Sequence, residues 1–324
     1  MSPVLESRVL VTGASGFVGR TLCDTLAKAG YRVRAAVRDP KRAPPEAAET
    51  VTVGELGAQT RWQEALEGVD LAIHLAARAH VMNDRNNDEA YREANARGTQ
   101  NFAAHCAAAG VRRLVFLSSV KVNGEATERP FTALDDPRPQ DPYGVSKYEG
   151  ERFAMQVGEQ SGMEVAIVRA PLMYGPGVKA NFARLMHWVD QERLLPLGAV
   201  ANRRSLLSLW NLSDLLGVLL THPEAAGRVW MASDGEDVST PGLVRRLARA
   251  MHRRARLVAV PVRLLRAVGS VLGRGAEVER LCGSLAVDAS STRDRLGWSP
   301  PLSLDEGLER TVAWYRSAGA ARGL

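Results

Sequence analysis

"RVLVTGASGFVGRTLCDTLAKAG", residues 8–30, decides how the rest of the chain is read. It opens as a short apolar strand and closes as a helical pattern from Phe17 to Ala29, with Gly13, Gly16 and Gly19 at every third position between them. Each glycine answers a separate need. Gly13 allows a tight turn, and Gly16 lets backbone N–H groups approach an anion at the positive helix end. Gly19 lets the helix pack closely on the sheet. With Ser15, Phe17 and Val18 completing the turn, the arrangement predicts a dinucleotide pyrophosphate site. The competing reading is a glycine-rich turn without a ligand.

Outward from that stretch, short apolar runs alternate with helical patterns. "YRVRAAV" (31–37), "TVTVGEL" (50–56), "DLAIHLAA" (70–77), "RLVFLSS" (113–119) and "EVAIVRA" (164–170) read as strands. Residues 89–110 read as a long helix ending at Gly110, and another helix opens near Tyr143. Alternation of this kind predicts an α/β fold with a doubly wound parallel sheet covered on both faces. Beyond residue 170 the rhythm loosens. "APLMYGPG" reads as a turn-rich loop, "RSLLSLWNLSDLLGVLLTH" mixes strand and helix, and two or three helices close the chain. The expected division is a nucleotide-binding unit over 1–170, to which the chain returns at about 205–235. A smaller substrate-binding lobe then takes 171–204 and 236–324.

The 324 residues are 45% hydrophobic and 24% charged, with a formal charge of +6 from 42 basic and 36 acidic residues. No apolar run reaches the roughly 18–20 residues of a membrane span. The first strand starts at residue 8, which leaves no space for a signal peptide. Three scattered cysteines match no metal spacing, and a reduced cytoplasmic setting follows as an expectation. No zinc finger or aromatic–basic repeat points to nucleic acid, and an anionic small molecule explains the charge as well. Only five of the basic residues are lysine: Lys28, Lys41, Lys121, Lys147 and Lys179. A lysine kept among so many arginines invites a chemical reason, since only lysine readily shifts its pKa.

Chemistry gathers at four places. Arg38 follows the second strand where an acidic residue would select NAD; it can grip a 2′-phosphate, so NADP(H) is favoured over NAD(H), with Asp39 one position further on. Ser118 and Ser119 end a buried strand at the edge where parallel sheets bind ligands. Tyr143 and Lys147, in "DPYGVSK", lie one helical turn apart on one face. Positive charge from Lys147 and an oxidised nicotinamide would lower the phenol's pKa and make Tyr143 a general acid/base, with Ser119 orienting the substrate oxygen. Asn95 fits a helix-borne amide bracing the backbone of the site.

Together these residues resemble the extended short-chain dehydrogenase/reductase family of nucleotide-sugar epimerases, dehydratases and reductases. The likeness also rests on "IHLAA" (73–77), "RAPLMYGPG" (169–177) and the tail "DASSTRDRLGWSPPLSLDEGL". It implies a Rossmann-like domain with Ala76 and Ala77 along the cofactor channel, Glu55 and Leu56 at the adenine, and Asn95 and Lys147 on the cofactor side. It implies a UDP- or dTDP-sugar against Asn181 and Phe182, with Arg204 and Arg280 at the diphosphate and Lys121 and Lys179 flanking the sugar. It also implies a homodimer through the helices at 89–109 and 143–158, and no metal. The sequence departs from the family pattern in three places. Asn123-Gly124 stands where Tyr-Gly is usual, Leu172 where asparagine is frequent, and Glu55 where aspartate is usual.

"SSVKVNGE" and "PLMYGPGVKANF" are similar to bacterial surface-polysaccharide reductases that convert a UDP-4-keto-6-deoxy-HexNAc to UDP-N-acetylquinovosamine. Arg38 favours this reductase reading, because consuming NADPH requires an exchangeable cofactor. The alternative is a UDP-glucose or UDP-N-acetylglucosamine 4-epimerase retaining NAD. A more distant one is a non-catalytic NADP-sensing regulator, which has no need of Ser119, Tyr143 and Lys147 together. The basic amphipathic stretch "VRLLRAVGSVLGR" (262–274) reads as a helix of the smaller lobe, or as a contact with a membrane surface or a glycosyltransferase.

Overall fold

The computed structural model describes residues 7–79 and 88–320, with side chains to residue 317. Its strands are β1 (Arg8–Thr12), β2 (Arg32–Val37), β3 (Glu49–Thr52), β4 (Leu71–His74), β5 (Arg113–Ser119), β6 (Glu164–Ala170), β7 (Leu172–Tyr174), β8 (Arg204–Ser208), β9 (Arg228–Met231) and β10 (Asp237–Val238). Seven form one sheet in the order β3-β2-β1-β4-β5-β6-β9, parallel throughout. Chain order reverses between β1 and β4, the switch point at which such sheets open a crevice for ligands. β4 is buried along its whole length and β5 as far as Ser118, because helices cover both faces.

One apolar core packs the helices Phe17–Lys28 and Leu209–Thr221 on one face of this sheet. The other face carries the helices Gly98–Ala108 and Pro142–Ser161. A three-stranded sheet, β10-β8-β7, is centred on β8, with a separate core drawn from residues 174–312. The stretch expected to be a turn-rich loop after residue 170 therefore contains β7, because Leu172–Tyr174 pair with Leu206–Ser208. "RSLLSLWNLSDLLGVLLTH" divides cleanly. Its first five residues are β8, then the Ser208 hydroxyl caps the helix Leu209–Thr221 by accepting from the Asn211 N–H. The end of the chain holds more helix than expected: Thr240–Ala250, Val262–Val271, Gly275–Cys282, Ser290–Leu296 and Leu304–Ala320.

The helix bearing Tyr143 starts where its local chemistry requires. Asp141 accepts the Gly144 N–H at 2.6 Å and Pro142 occupies the first turn, so the helix begins beside the carboxyl end of β5. Gly162, at φ +78°, ends it.

Candidate active site

The glycine turn is a backbone device. Gly13 sits at φ +67°, and a Cβ there would lie 2.9 Å from the Ala76 nitrogen. A Cβ on Gly19 would lie 2.4 Å from the Gly13 oxygen, so the helix Phe17–Lys28 can seat against the turn only without one. Gly16 occupies the N-cap position with no side-chain cap, leaving the first helical N–H groups facing outward. Ser15 and Phe17 are half-buried and Val18 belongs to the core. Such a cradle, closed to any side chain, fits a dinucleotide pyrophosphate. Ala76, half-buried just past β4, lies beside it, and Ala77 after it is exposed.

Thr12 and His74 pair in register at the ends of β1 and β4. The Thr12 hydroxyl accepts the Leu75 and Ala76 N–H groups at 3.2 and 3.1 Å, so its own proton goes to His74 Nδ1 at 2.7 Å. Burial, with Lys147 nearby, pushes the imidazole down to about 3, so it remains neutral. Sequence reasoning assigned His74 no role. The available signal was two polar residues closing adjacent, otherwise apolar strands.

At the second strand's end, Arg38 is exposed, and Asp39 accepts the Lys41 N–H at 3.0 Å to cap the short helix Pro40–Arg42. Glu55 is exposed and Leu56 half-buried; Glu55 holds its loop through its backbone oxygen, which accepts from Thr60 at 2.6 Å. Asn95 is 1% exposed in a π-helical turn. Its oxygen accepts the Arg78 N–H at 2.7 Å, and its amide donates to the Arg78 oxygen and to Ser146, each at 3.0 Å. Asn95 ties the segment after β4 to the Tyr143 helix, bracing the backbone of the site as its helix position suggested.

Of the paired serines, Ser119 is the one whose hydroxyl acts on the Tyr143 phenol, while Ser118 is buried. Tyr143 is half-buried, its ring edge-on to Tyr91 with centroids 6.1 Å apart. Burial and the Asp141 carboxylate push its pKa up to about 12, and the Ser119 hydroxyl opposes them only in part. The protein's own groups thus do the opposite of the expected lowering. Lys147 is 2% exposed, with Nζ 3.9 Å from the Phe116 ring centroid. Burial brings its pKa down to about 7 against the opposing pull of Glu151.

One turn beyond Lys147, Glu151 receives a bidentate contact from Arg169, with Nε at 2.9 Å and Nη2 at 2.6 Å; both side chains are buried. Arg169 Nη1 also donates to Asn123 Oδ1 at 3.2 Å. Asn123 therefore faces the interior, which explains its replacing an aromatic residue: it completes a buried polar network. The Glu151–Arg169 pair escaped sequence reasoning, since nothing in the spacing links residues on a helix and a later strand.

The substrate-side expectations fare unevenly. The Lys121 ammonium is held by Asp141 and by Glu125, the latter at 3.0 Å. Burial works against its charge, yet these carboxylates keep its pKa above the ordinary value. These contacts brace the start of the Tyr143 helix. Phe182 is 3% exposed and stacks on Tyr174 with centroids 5.5 Å apart, so it is a core residue and not a base-binding surface. Asn181 accepts from Arg184 at 2.7 Å, and Lys179 is exposed. The structure does bring Arg204 and Arg280 together: Arg204 Nη1 donates to the Arg280 oxygen at 2.6 Å and the Gly283 oxygen at 3.2 Å. Arg280 itself is exposed, and Leu172 is 40% exposed just past β6. Among the described residues no cluster of His, Cys, Asp or Glu could hold a metal ion, and no helix is long and apolar enough to cross a membrane.

The chain is similar to known proteins over nearly its full length. Residues 9–231 match the model of the NAD dependent epimerase/dehydratase family. A UDP-glucose 4-epimerase of Vibrio cholerae is 42% identical over 320 residues, covering 97% of each chain. A GDP-6-deoxy-D-mannose reductase of Pseudomonas aeruginosa is 28% identical, covering 97% of this chain and 98% of its own. Among solved structures, MoeE5 in complex with UDP-glucuronic acid and NAD superposes with a TM-score of 0.79 at 25% identity, over 96% of this chain and all of its own. With the family model matching over residues 9–231 and a relative 42% identical over nearly its whole length, the chain belongs to the NAD-dependent epimerase/dehydratase family, the extended short-chain dehydrogenases/reductases.

Proposed function

We propose that the chain reduces the 4-keto group of a UDP-linked 6-deoxy-HexNAc, using NADPH in preference to NADH. The observation that carries this reading is the Tyr143 phenol, near Ser119 at the carboxyl end of β5 and kept protonated near neutral pH. A reductase needs that species at the start of its cycle. The cradle of Gly13, Gly16 and Gly19 would hold the pyrophosphate of the dinucleotide, which when bound supplies the hydride for the sugar carbon. Ser119 orients the substrate oxygen, and Tyr143 gives it a proton as the C=O bond becomes an alcohol. Lys147, poised between charged and neutral near pH 7, stabilises the phenolate that remains. Arg204 and Arg280 flank the diphosphate. The NADPH preference rests on Arg38, which is exposed while Asp39 is occupied as a helix cap.

A second reading, a UDP-hexose 4-epimerase retaining NAD, is favoured by the Vibrio cholerae relative. One assay separates the two. Purified protein receives UDP-4-keto-6-deoxy-N-acetylglucosamine with NADPH or NADH, and cofactor absorbance is followed while NMR assigns the product at C4. The reductase reading predicts stoichiometric NADPH oxidation. No oxidation, together with interconversion of UDP-glucose and UDP-galactose or of their N-acetyl forms, would replace it with the epimerase.

A further inference from the structure

The helix Val262–Val271 turns an apolar stripe away from the protein. Leu264, Val268, Val271 and Leu272 are 54, 48, 87 and 65% exposed, at the three- and four-residue spacing of a single helical face. The opposite side anchors the helix. Val262 and Leu265 pack on the core centred on β8, and Gly269 fits so closely against Val278 of the helix Gly275–Cys282 that a Cβ would lie 2.6 Å from the Val278 methyl. Arg266 fixes the two helices with a bidentate contact to Glu279 at 2.9 and 2.8 Å. The stripe therefore does nothing for the fold that its inner face does not already do.

The surrounding charge is uneven. Residues 253–282 contain seven arginines, two glutamates and no lysine, a net +5 in a chain whose total is +6. Both glutamates are paired, Glu279 with Arg266 and Glu277 with Arg184. Arg254, Arg256, Arg263 and Arg274 are exposed and, among the described residues, make no ion pair. An apolar strip edged by free guanidinium groups matches the water–lipid boundary of an anionic bilayer. There, side chains of this kind bury their apolar face at headgroup depth while cations meet lipid phosphates.

We propose that this helix is a reversible docking site for anionic membrane surfaces. A ten-residue helix spans only about 15 Å, so the attachment is peripheral and depends on both contributions, apolar and electrostatic. The same helix pair supplies the Arg280 carbonyl that receives Arg204, so docking sets the candidate diphosphate residues close to the lipid headgroups.

The test is co-sedimentation of the full chain with vesicles of equal phosphatidylglycerol and phosphatidylcholine, against vesicles of phosphatidylcholine alone. Binding is expected to the anionic vesicles only and should fall as salt is raised. Val271→Glu with Leu272→Glu should reduce it at least tenfold, and Arg263→Gln roughly fivefold, the worth of one basic residue near such a surface. Both variants should keep wild-type turnover and circular dichroism. Failure to sediment with anionic vesicles, or equal binding to both compositions, would overturn the proposal. A smaller native mass for the doubly substituted variant in lipid-free buffer would assign the stripe to a second copy of the chain, and would overturn it as well.

Discussion

The two ends of the cleft are built on different principles. At the dinucleotide end, backbone meets backbone: Gly13 against Ala76, Gly19 against Gly13, and Thr12 bridging β1 to the turn after β4. Around the Tyr143 helix and β8, side chains decide, and several of the charged ones are already engaged: Lys121 with Asp141, Glu151 with Arg169, Arg204 with carbonyls. A glycine cradle can be read from spacing alone, since only glycine satisfies it. A cation in the second region reveals its role only when its partner, often far along the chain, is known.

Substitutions can break this contrast. The largest effect on stability should come from Glu151→Ala, which leaves the buried Arg169 guanidinium without its carboxylate and costs about 3–5 kcal/mol in denaturant unfolding. Gly19→Ala should cost about 1–3 kcal/mol, because its Cβ would meet backbone that cannot yield. It should also abolish dinucleotide binding in calorimetry; unchanged affinity would show that the cradle is not the phosphate site.

Smaller effects sharpen the comparison at the other end. Arg204→Ala should raise KM for the nucleotide sugar about tenfold, with kcat nearly constant, as expected for a charge-assisted contact made equally in ground and transition states. Lys121→Met should leave KM close to wild type. The reverse order would restore Lys121 as the ligand and remove Arg204.

A further effect depends on pH. Burial holds the folded Lys147 pKa at about 7, below the roughly 10.4 of an unfolded lysine, so the folded state disfavours the charged form. The resulting destabilisation is complete below pH 7 and is relieved as pH rises toward 10. Lys147→Met should therefore melt a few degrees above wild type at pH 6 in the cofactor-free protein, and the gap should close by about pH 10. A gap independent of pH would mean that the lysine is not the titrating group.

How much was legible follows the same division. Glycine spacing, strand–helix alternation and the Tyr143–Lys147 spacing specify local geometry, and each stands where the sequence placed it. The helix around Tyr143 was signalled by Asp141 and Pro142, which set its first turn. Phe182 was misassigned because an aromatic residue at a helix start looks the same whether it faces a base or Tyr174. Asn123 looked like a lost aromatic wall until Arg169, 46 positions later, supplied the reason for an amide. The direction of the Tyr143 shift was missed because burial and Asp141 act on the phenol, while Lys147 lies over Phe116.

The account rests on Tyr143 as the proton donor to a sugar oxygen, and Tyr143→Phe tests it most directly. The variant should bind NADPH and nucleotide sugar as the wild type does, while kcat falls about 10²–10⁴-fold, the usual contribution of a positioned general acid. Turnover close to wild type with both ligands bound would contradict the account.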